Sequence, residues 1–257
     1  MAQSTKPPAA LPLTIVLCVI FLLPTDSGAQ HKHREHHHHF LDSLAAVVYP
    51  SLTYPRNPES GEIVWGLDLT VTIAPRQVVR DEVRQLPQLN GTLRIGLPEK
   101  FGVGLKLSGN YIANQLSIFP SWSYSTSHFS AAILNSTSMW LGKADFTGFS
   151  ALGMGFSNAP GISVGMHFDD FLLSIRTDFI TNYWHYTKFG TDVVKRSATQ
   201  FEGEVFTFAI EQDLFGGRRV NWGMRLNYTS PDYQLWLAFS DSRQRILIPE
   251  FFFGIIL

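Results

Sequence analysis

Cysteine is almost absent from this chain of 257 residues, which contains a single one, Cys18. Cys18 lies in an apolar stretch near the N-terminus, which we interpret below as a segment removed from the mature protein. The mature chain then has no cysteine. This excludes disulfide bonds, cysteine-ligated metal sites and thiol nucleophiles from it.

An excess of charge of either sign is also absent. The 20 Lys and Arg residues are balanced by 21 Asp and Glu residues, which gives a formal net charge of -1. Proteins that bind nucleic acid through its phosphates carry a surplus of positive charge. The charge balance therefore argues against nucleic acid as a partner.

No apolar run is long enough for a membrane-spanning helix, which needs about 20 residues. The run at 13–23 follows the positive Lys6 and precedes the small residues Ser-Gly-Ala at 27–29. This order is typical of a secretory signal peptide. We predict a signal peptide at 1–29 that is cleaved after Ala29, a histidine-rich flexible leader at 30–43, and a single domain at 44–257.

Alternation with period two is what the remaining sequence does contain. Between 63 and 73 the odd positions are large and apolar, whereas the even positions are mostly small or polar. Such alternation predicts β-strands with one apolar and one polar face. The same pattern recurs at 101–111, 162–168, 171–179, 220–228 and 233–239.

Two features favour a membrane barrel over the alternative of a soluble β-sandwich. The polar faces are rich in Gly, Ser and Asn, which suits the interior of a narrow barrel. Aromatic residues also stand at strand ends, as in the two interfacial girdles of membrane barrels. These aromatic residues are Phe101, Tyr111, Phe168, Phe171, Tyr183, Trp184, Tyr228 and Tyr233.

The fold class that we predict is all-β, a closed antiparallel transmembrane β-barrel of about 12 strands, with 10 or 14 as alternatives. Bacterial barrels usually have an even number of strands. The predicted strands are 62–74, 91–97, 101–112, 128–141, 146–157, 162–168, 171–184, 201–213, 219–229, 232–240 and 246–257, with a twelfth in 44–54 and a turn at 158–161.

The predicted connections conflict with the usual arrangement of outer-membrane barrels. Long connections at 76–90, 113–127 and 185–200 all fall on the side of the C-terminus, whereas such barrels normally place short turns there. Either a strand has been missed, with 185–200 as the first place to look, or the barrel is unusual.

The C-terminal segment carries a family resemblance. In residues 249–257, Phe251, Phe253, Ile255 and Leu257 share one face of an alternating strand. Together with the signal peptide, the amphipathic strands and the girdles, this segment resembles a Gram-negative outer-membrane β-barrel protein of porin-like or OmpA-barrel type. The family usually ends in Phe or Trp rather than Leu. The resemblance implies a bacterial outer-membrane location, contact with outer-membrane lipid, and insertion by the barrel assembly machinery.

Charged residues of both signs occupy the polar faces. We expect them to line the lumen and to pair across it, because unpaired charges in a narrow interior are costly. This predicts a closed interior rather than an open channel. The predicted lumen-facing network is Asp68, Arg94, Lys106, His167, Asp169, Arg176, Asp178, Glu202, Glu204, Glu211 and Arg225.

The histidine-rich leader offers candidate metal ligands. Imidazole is a common ligand of zinc, nickel and copper, but no rigid scaffold is expected around this segment. The alternative is a flexible, solvated leader, and we predict no cofactor. The candidate ligands are His31, His33, His36, His37, His38 and His39.

No catalytic constellation stands out. His128 and Ser130 share a strand face, but the first acidic residue downstream is Asp145, so a hydrolytic triad is not supported. We predict a non-enzymatic barrel that is structural, forms a narrow pore or binds through its loops. The alternatives are an accessory subunit of an outer-membrane export or uptake machine, acting with a protein partner of unknown kind, and a lipid-modifying hydrolase.

Overall fold

The computed structural model describes residues 51–75, 85–146, 149–168, 170–197, 199–214, 218–230 and 244–257. The predicted signal peptide, the histidine-rich leader and the predicted strand at 232–240 lie outside the described residues. Within the described ranges, no helix is long and apolar enough to cross a membrane.

Eleven β-strands occur in the described part of the chain, and they account for nearly all of it. Their residues alternate between two faces, as the period-two pattern predicts. The strands are β1 Ile63–Ile73, β2 Gln85–Gly96, β3 Phe101–Gly109, β4 Ala113–Ser125, β5 Phe129–Phe146, β6 Phe149–His167, β7 Phe171–Phe189, β8 Asp192–Ser197, β9 Gln200–Leu214, β10 Arg218–Thr229 and β11 Ile246–Ile256.

Ten of these strands close into an antiparallel barrel. Each of β1 to β6 pairs with the strand that follows it, and β7 pairs with β9. Strand β9 pairs with β10, β10 with β11, and β11 with β1, which completes the ring. The short β8 pairs with the C-terminal end of β7 and lies outside the ring. The closed antiparallel barrel is therefore confirmed, whereas the figure of about 12 strands is replaced by ten, one of the two alternatives. Residues 51–54 of the predicted twelfth strand do not form a strand.

Two strands were not predicted: the short β8, in the segment 185–200 where a missed strand was considered, and β4, which belongs to the ring. Residues 113–125 were expected to be a connection, but they pair with β3 on one side and β5 on the other. The alternation is present here too, since Leu116, Ile118 and Trp122 are exposed while Ser117 and Ser121 are buried. Frequent serines and Pro120 gave the segment the composition of a loop.

The predicted turn at 158–161 is also wrong, because these residues lie inside β6. Asn-Ala-Pro-Gly has the composition of a turn. In the barrel, Pro160 pairs with Asn135 on β5, while the β6–β7 register passes from Asn158–Thr181 to Gly161–Asp178. A proline has no N–H group to donate to a neighbouring strand. This agrees with a β6–β7 pairing that is interrupted at Pro160 while the β5–β6 pairing continues.

The observed strand order removes the conflict over the connections, because β4 is an additional strand, residues 149–167 form a single strand, and β10 pairs directly with β11. The C-terminus and the connections 97–100 and 126–128 now share one end of the barrel, where β6 and β9 end and β7 and β10 begin; it is called here the short-turn end. Strands β1 and β10 end, and β2 and β11 begin, at the opposite end, called here the long-loop end. This is the usual arrangement of outer-membrane barrels.

Three neighbouring strands extend past the rest at the long-loop end. A membrane-crossing strand needs about 9–11 residues, but β5, β6 and β7 have 18, 19 and 19. The β4–β5 pairing ends at Ala113–Gly142, so the last residues of β5 continue beyond β4. The wall of the barrel is therefore higher on this side.

The two faces of the wall have opposite character. Leu69 is 51% exposed and Val64 only 1%, although both belong to β1. Aromatic residues are exposed at both ends, with Phe101 and Phe168 at the short-turn end and Tyr183 and Tyr228 towards the long-loop end. An apolar outer face between aromatic belts is typical of a membrane barrel.

Candidate functional site in the barrel lumen

The chain preceding β1 enters the barrel. Residues 51–57, called here the inserted segment, contact inward-facing side chains near the short-turn end. Their hydrogen-bond partners come from β2, β4, β5 and β9, which lie on different sides of the ring. The inserted segment thus occupies the lumen instead of extending the sheet.

Glu211 on β9 is the main acceptor for the inserted segment. Its Oε1 accepts the backbone N–H groups of Leu52 at 3.0 Å and Tyr54 at 3.2 Å, and also that of Thr53. The hydroxyl of Thr53 donates to the same oxygen at 2.6 Å. Glu211 is only 1% exposed, so its charge is compensated chiefly by these donors, with Arg219 3.8 Å from Oε2.

Arg94 on β2 supplies the complementary donors. One guanidinium nitrogen donates to the carbonyl oxygens of Ser51, Leu52 and Tyr54, each at 3.3 Å. The other donates to Oδ1 of Asn57 at 2.8 Å. A buried acid and a buried base therefore hold the same few peptide groups from two sides.

Asn57 and Pro55 attach the inserted segment to a third side of the barrel. The Asn57 amide donates to the carbonyl oxygen of Lys100 at 2.8 Å, and the Ser121 hydroxyl donates to Asn57 Oδ1 at 2.7 Å. The Ser130 hydroxyl donates to the carbonyl oxygen of Pro55 at 2.6 Å. These bonds satisfy polar groups that would otherwise be buried without partners.

Glycines on the inward face make room for the inserted segment. A Cβ atom on Gly165 of β6 would overlap the ring of Tyr54, and one on Gly102 of β3 would lie 2.7 Å from the Asn57 side chain. Both approaches are too close for any larger residue to be accepted unchanged. The barrel wall is thus shaped to the segment that fills it.

A polar cavity of about 310 Å³ remains above the inserted segment, and Leu52 and Thr53 form part of its lining. Half of the other lining residues are Ser, Thr, Asn or Gln. Three acids and three bases also line it: Asp68, Asp178, Glu250, Lys106, Arg176 and Arg225.

Five of the six charged residues of the cavity, all but Lys106, have their described partners along the wall rather than across the lumen. Arg176 forms a two-pronged contact with Asp178 on its own strand, at 2.7–3.0 Å. Arg225 on β10 lies 3.6 Å from Glu250 on the adjacent β11. Asp68 accepts a hydrogen bond from Asn90 at 2.6 Å. This arrangement leaves the centre of the cavity free of salt bridges between the described residues.

The remaining predicted lumen residues are spread along the barrel. Glu202 is buried on the inward side. His167 lies at the short-turn end, where its Nδ1 is 3.3 Å from the carbonyl oxygen of Ser127. Asp169 and the six leader histidines fall outside the described residues. In the described part of the chain, no group of three or more His, Cys, Asp or Glu could hold a metal ion.

Glu204 was expected in the lumen, and this prediction is wrong. It pairs with Phe179 and Tyr228, which are exposed on the outer face. Alternation along β9 from the buried Glu211 already places Glu204 on the outer face, together with Phe206 and Phe208. The backbone is irregular at Gly203, whose φ is +146° and where the β7–β9 register passes from Ile180–Gly203 to Thr181–Phe201. The extra residue reverses the alternation before it, so Glu202 lies on the inner face although Glu204 does not.

Two parts of the site escaped the sequence reasoning. Glu250 lies in a strand whose sequence is dominated by its apolar face, so no local signal marks it. The sequence predicts a strand at 44–54, which overlaps the inserted segment, although prolines at 50, 55 and 58 argue against regular pairing there. The inward-facing glycines Gly102 and Gly165 are a further signal in the sequence, because glycine in a strand often marks the close approach of another chain segment.

The rejected pair of His128 and Ser130 is not assembled as a catalytic dyad. The Ser130 hydroxyl is buried and bonded to the carbonyl oxygen of Pro55. Nδ1 of His128 lies 2.8 Å from the hydroxyl of Ser127, in an exposed turn. The two side chains therefore have separate partners.

Comparisons with known proteins find solved structures of low similarity to this chain. No family model and no curated protein sequence matches it. The translocator domain of the autotransporter NalP from Neisseria meningitidis is 12% identical, with coverage of 78% of this chain and 88% of that chain and a TM-score of 0.46. An outer membrane channel from Pseudomonas putida F1 is 6% identical, covering 79% and 98%, with a TM-score of 0.34. A mutant Rh. blastica porin is 7% identical, covering 76% and 99%, with a TM-score of 0.24. At such identities the likeness concerns the fold and none of the site residues.

Proposed function

We propose that this protein is a non-enzymatic β-barrel of the Gram-negative outer membrane, and that its lumen is a narrow pore held closed at the short-turn end by the inserted segment. The observation that carries the proposal is the attachment of residues 52–54 to the buried carboxylate of Glu211. A segment bound in this way blocks the lumen while leaving the polar cavity above it.

The distribution of exposed side chains supports placement in a membrane. Large apolar residues such as Ile63, Leu107 and Ile133 are each 58% exposed on the outer face. In water this surface would be unfavourable, whereas in a bilayer it meets hydrocarbon. Outer-membrane lipid is accordingly the expected contact of the outer face, and the barrel assembly machinery the expected route of insertion.

The chemistry of the lumen supports a pore more than a purely structural barrel. The cavity is lined by hydroxyl, amide and charged groups, which can replace the hydration of a small polar solute or ion. A barrel serving only as an anchor would be expected to fill its interior with side chains. Since the candidate hydrolytic side chains have other partners, no reaction is proposed.

Conductance across a planar lipid bilayer tests the closure. The full-length protein is expected to conduct rarely, and Glu211→Ala is expected to raise the time-averaged conductance by about tenfold or more. Each hydrogen bond to a charged group contributes about 1.5–3 kcal/mol, and about 1.4 kcal/mol changes an equilibrium tenfold. Glu250→Gln is the matched control, because it alters another buried lumenal acid without touching the inserted segment.

A disulfide bond between the inserted segment and β4 distinguishes displacement of the segment from a general loosening of the barrel. Asn57 and Ser121 are hydrogen-bonded through their side chains at 2.7 Å, so Asn57→Cys and Ser121→Cys can be tested for cross-linking. In the Glu211→Ala background, the oxidised pair should suppress conductance and reduction should restore it. High conductance in the unmodified protein, or in the oxidised triple variant, would contradict the closed-pore proposal.

A further inference from the structure

Polar side chains occur on the outer face of the barrel, within the apolar band. Thr137, Asn158 and Thr181 lie side by side in one row across β5, β6 and β7. Asn135 lies two residues before Thr137 on the same face of β5 and is exposed. These four residues are called here the outer polar patch.

The outer polar patch is surrounded by exposed apolar residues. Along β5, Ile133 is 58% exposed and Met139 is 62% exposed, on either side of Asn135 and Thr137. On the neighbouring strands, Ile118 and Ile162 are 48% and 57% exposed. Asn135 therefore lies within the apolar band, whereas Asn158 and Thr181 lie beside the exposed aromatic residues Phe156 and Tyr183.

Hydrogen bonding within the patch is incomplete. Asn158 donates to the Thr137 hydroxyl at 3.0 Å. Among the described residues, the Asn135 amide has no hydrogen-bond partner. Lipid tails offer neither donors nor acceptors, so an amide facing them is unfavourable. Polar residues that face hydrocarbon are rare, and they usually pair with another polar group.

The backbone around Asn135 also lacks hydrogen-bond donors on the neighbouring strands. Asn135 is paired with Pro160 on β6, and the β4–β5 register passes from Ile118–Thr137 to Ser121–Leu134, omitting Pro120. A proline has no N–H to donate to the ladder. The patch thus combines an unpartnered amide with an interrupted stretch of the wall.

We propose that the outer polar patch is the contact surface between two copies of this protein in the membrane, with the Asn135 amides of the two copies hydrogen-bonded to each other. A carboxamide both donates and accepts, so it is complementary to itself. Two barrels inserted in the same direction are related by a two-fold axis along the membrane normal, which brings identical patches together at identical depth.

A second copy fits these observations better than another occupant does. Lipid hydrocarbon cannot bond to Asn135, and a lipid headgroup or a soluble protein would have to enter the apolar band. The patch carries no net charge, which suits pairing of like with like. The interface rests on the membrane placement in the proposed function but not on the closed pore.

Cysteine cross-linking in native membranes tests the interface, since the only cysteine of the sequence is in the predicted signal peptide. Asn135→Cys is expected to form dimers of twice the monomer mass at least tenfold faster than Leu69→Cys. Leu69 is a matched control because it is 51% exposed on β1, on the opposite side of the ring. Equal rates for the two variants would overturn the proposal, as would cross-linking of Asn135→Cys only to a different protein.

The oligomeric state of cysteine-free protein provides a second measurement. After mild detergent extraction, the full-length protein should be dimeric by light scattering, and Asn135→Leu should weaken the dimer at least tenfold while the barrel keeps its heat-modifiable migration. A dimer unaffected by Asn135→Leu, or a monomeric parent protein in detergent, would contradict the interface alone. Recovery of the protein without detergent would instead contradict the membrane placement.

Discussion

The carboxylate of Glu211 accepts the backbone N–H of Leu52 at 3.0 Å, although the two residues are 159 positions apart. Leu52 precedes the first strand, whereas Glu211 belongs to the eighth strand of the ten-strand ring. Their contact therefore joins the chain before the first strand to a strand late in the ring. The inserted segment is therefore part of the folded barrel rather than a tail attached to it.

The stability of the barrel should depend on this carboxylate. Removing one member of a buried charged network leaves its partners without compensation, which costs about 3–5 kcal/mol. Glu211→Ala should lower the free energy of unfolding in urea, measured in lipid vesicles, by about 3 kcal/mol. Asp213→Asn is the control, since Asp213 is 54% exposed near the same strand end; equal losses in the two variants would argue against a special role for Glu211.

The fit between Gly165 and Tyr54 predicts how the inserted segment can be displaced. Gly165→Leu places a side chain where the Tyr54 ring lies, so the segment should leave its position. Trypsin should then cleave after Arg56 much faster than in the parent protein. At Gly91, an added Cβ would meet only Leu67 at 3.6 Å, and Gly91→Ala should leave cleavage unchanged. Continued protection of Arg56 in Gly165→Leu would show that the segment is held otherwise.

The sequence was sufficient for the architecture because strand faces follow from local alternation. Ile63 to Ile73 reads as a strand without any knowledge of its neighbours, and the structure confirms it. The antiparallel closed barrel, the outward apolar face and the short hairpin connections follow from the same pattern. Errors occurred where composition and pairing disagree, at β4 and at Pro160, since pairing with adjacent strands can impose extended structure on loop-like sequences.

The site was less accessible to sequence reasoning because it depends on contacts between distant residues. Nothing local to Glu211 shows that it will bind the peptide groups of 52–54. Nor does local alternation indicate the irregularity at Gly203, which places Glu202 in the interior although Glu204, two residues later, lies on the outer face. A period-two pattern determines a residue's face only until the first bulge, and it does not reveal what enters the lumen.

The ionic preference of the opened pore follows from the charges lining its cavity. Asp68, Asp178 and Glu250 balance Lys106, Arg176 and Arg225, so the cavity itself should add little selectivity. Loss of Glu211 leaves the buried Arg94 uncompensated, so the Glu211→Ala pore should favour anions. Adding Arg225→Glu replaces one positive charge with a negative one and should shift the preference towards cations. The reversal potential in a potassium chloride gradient measures this. A potential unchanged by Arg225→Glu would indicate that ions do not pass through the cavity.

The opposite orientation of two nearby glutamates provides a test of the irregularity at Gly203. Glu202 is fully buried, whereas Glu204 lies on the outer face between Phe179 and Tyr228. In lipid vesicles, Glu204→Cys should react with a membrane-soluble maleimide, and Glu202→Cys should react at least about tenfold more slowly, because a buried thiol is shielded from the reagent. Strict alternation would place both residues on one face and give them similar rates. Phe206→Cys, at an exposed outward position of the same strand, supplies the reference rate; labelling of Glu202→Cys at that rate would show that the register change is absent.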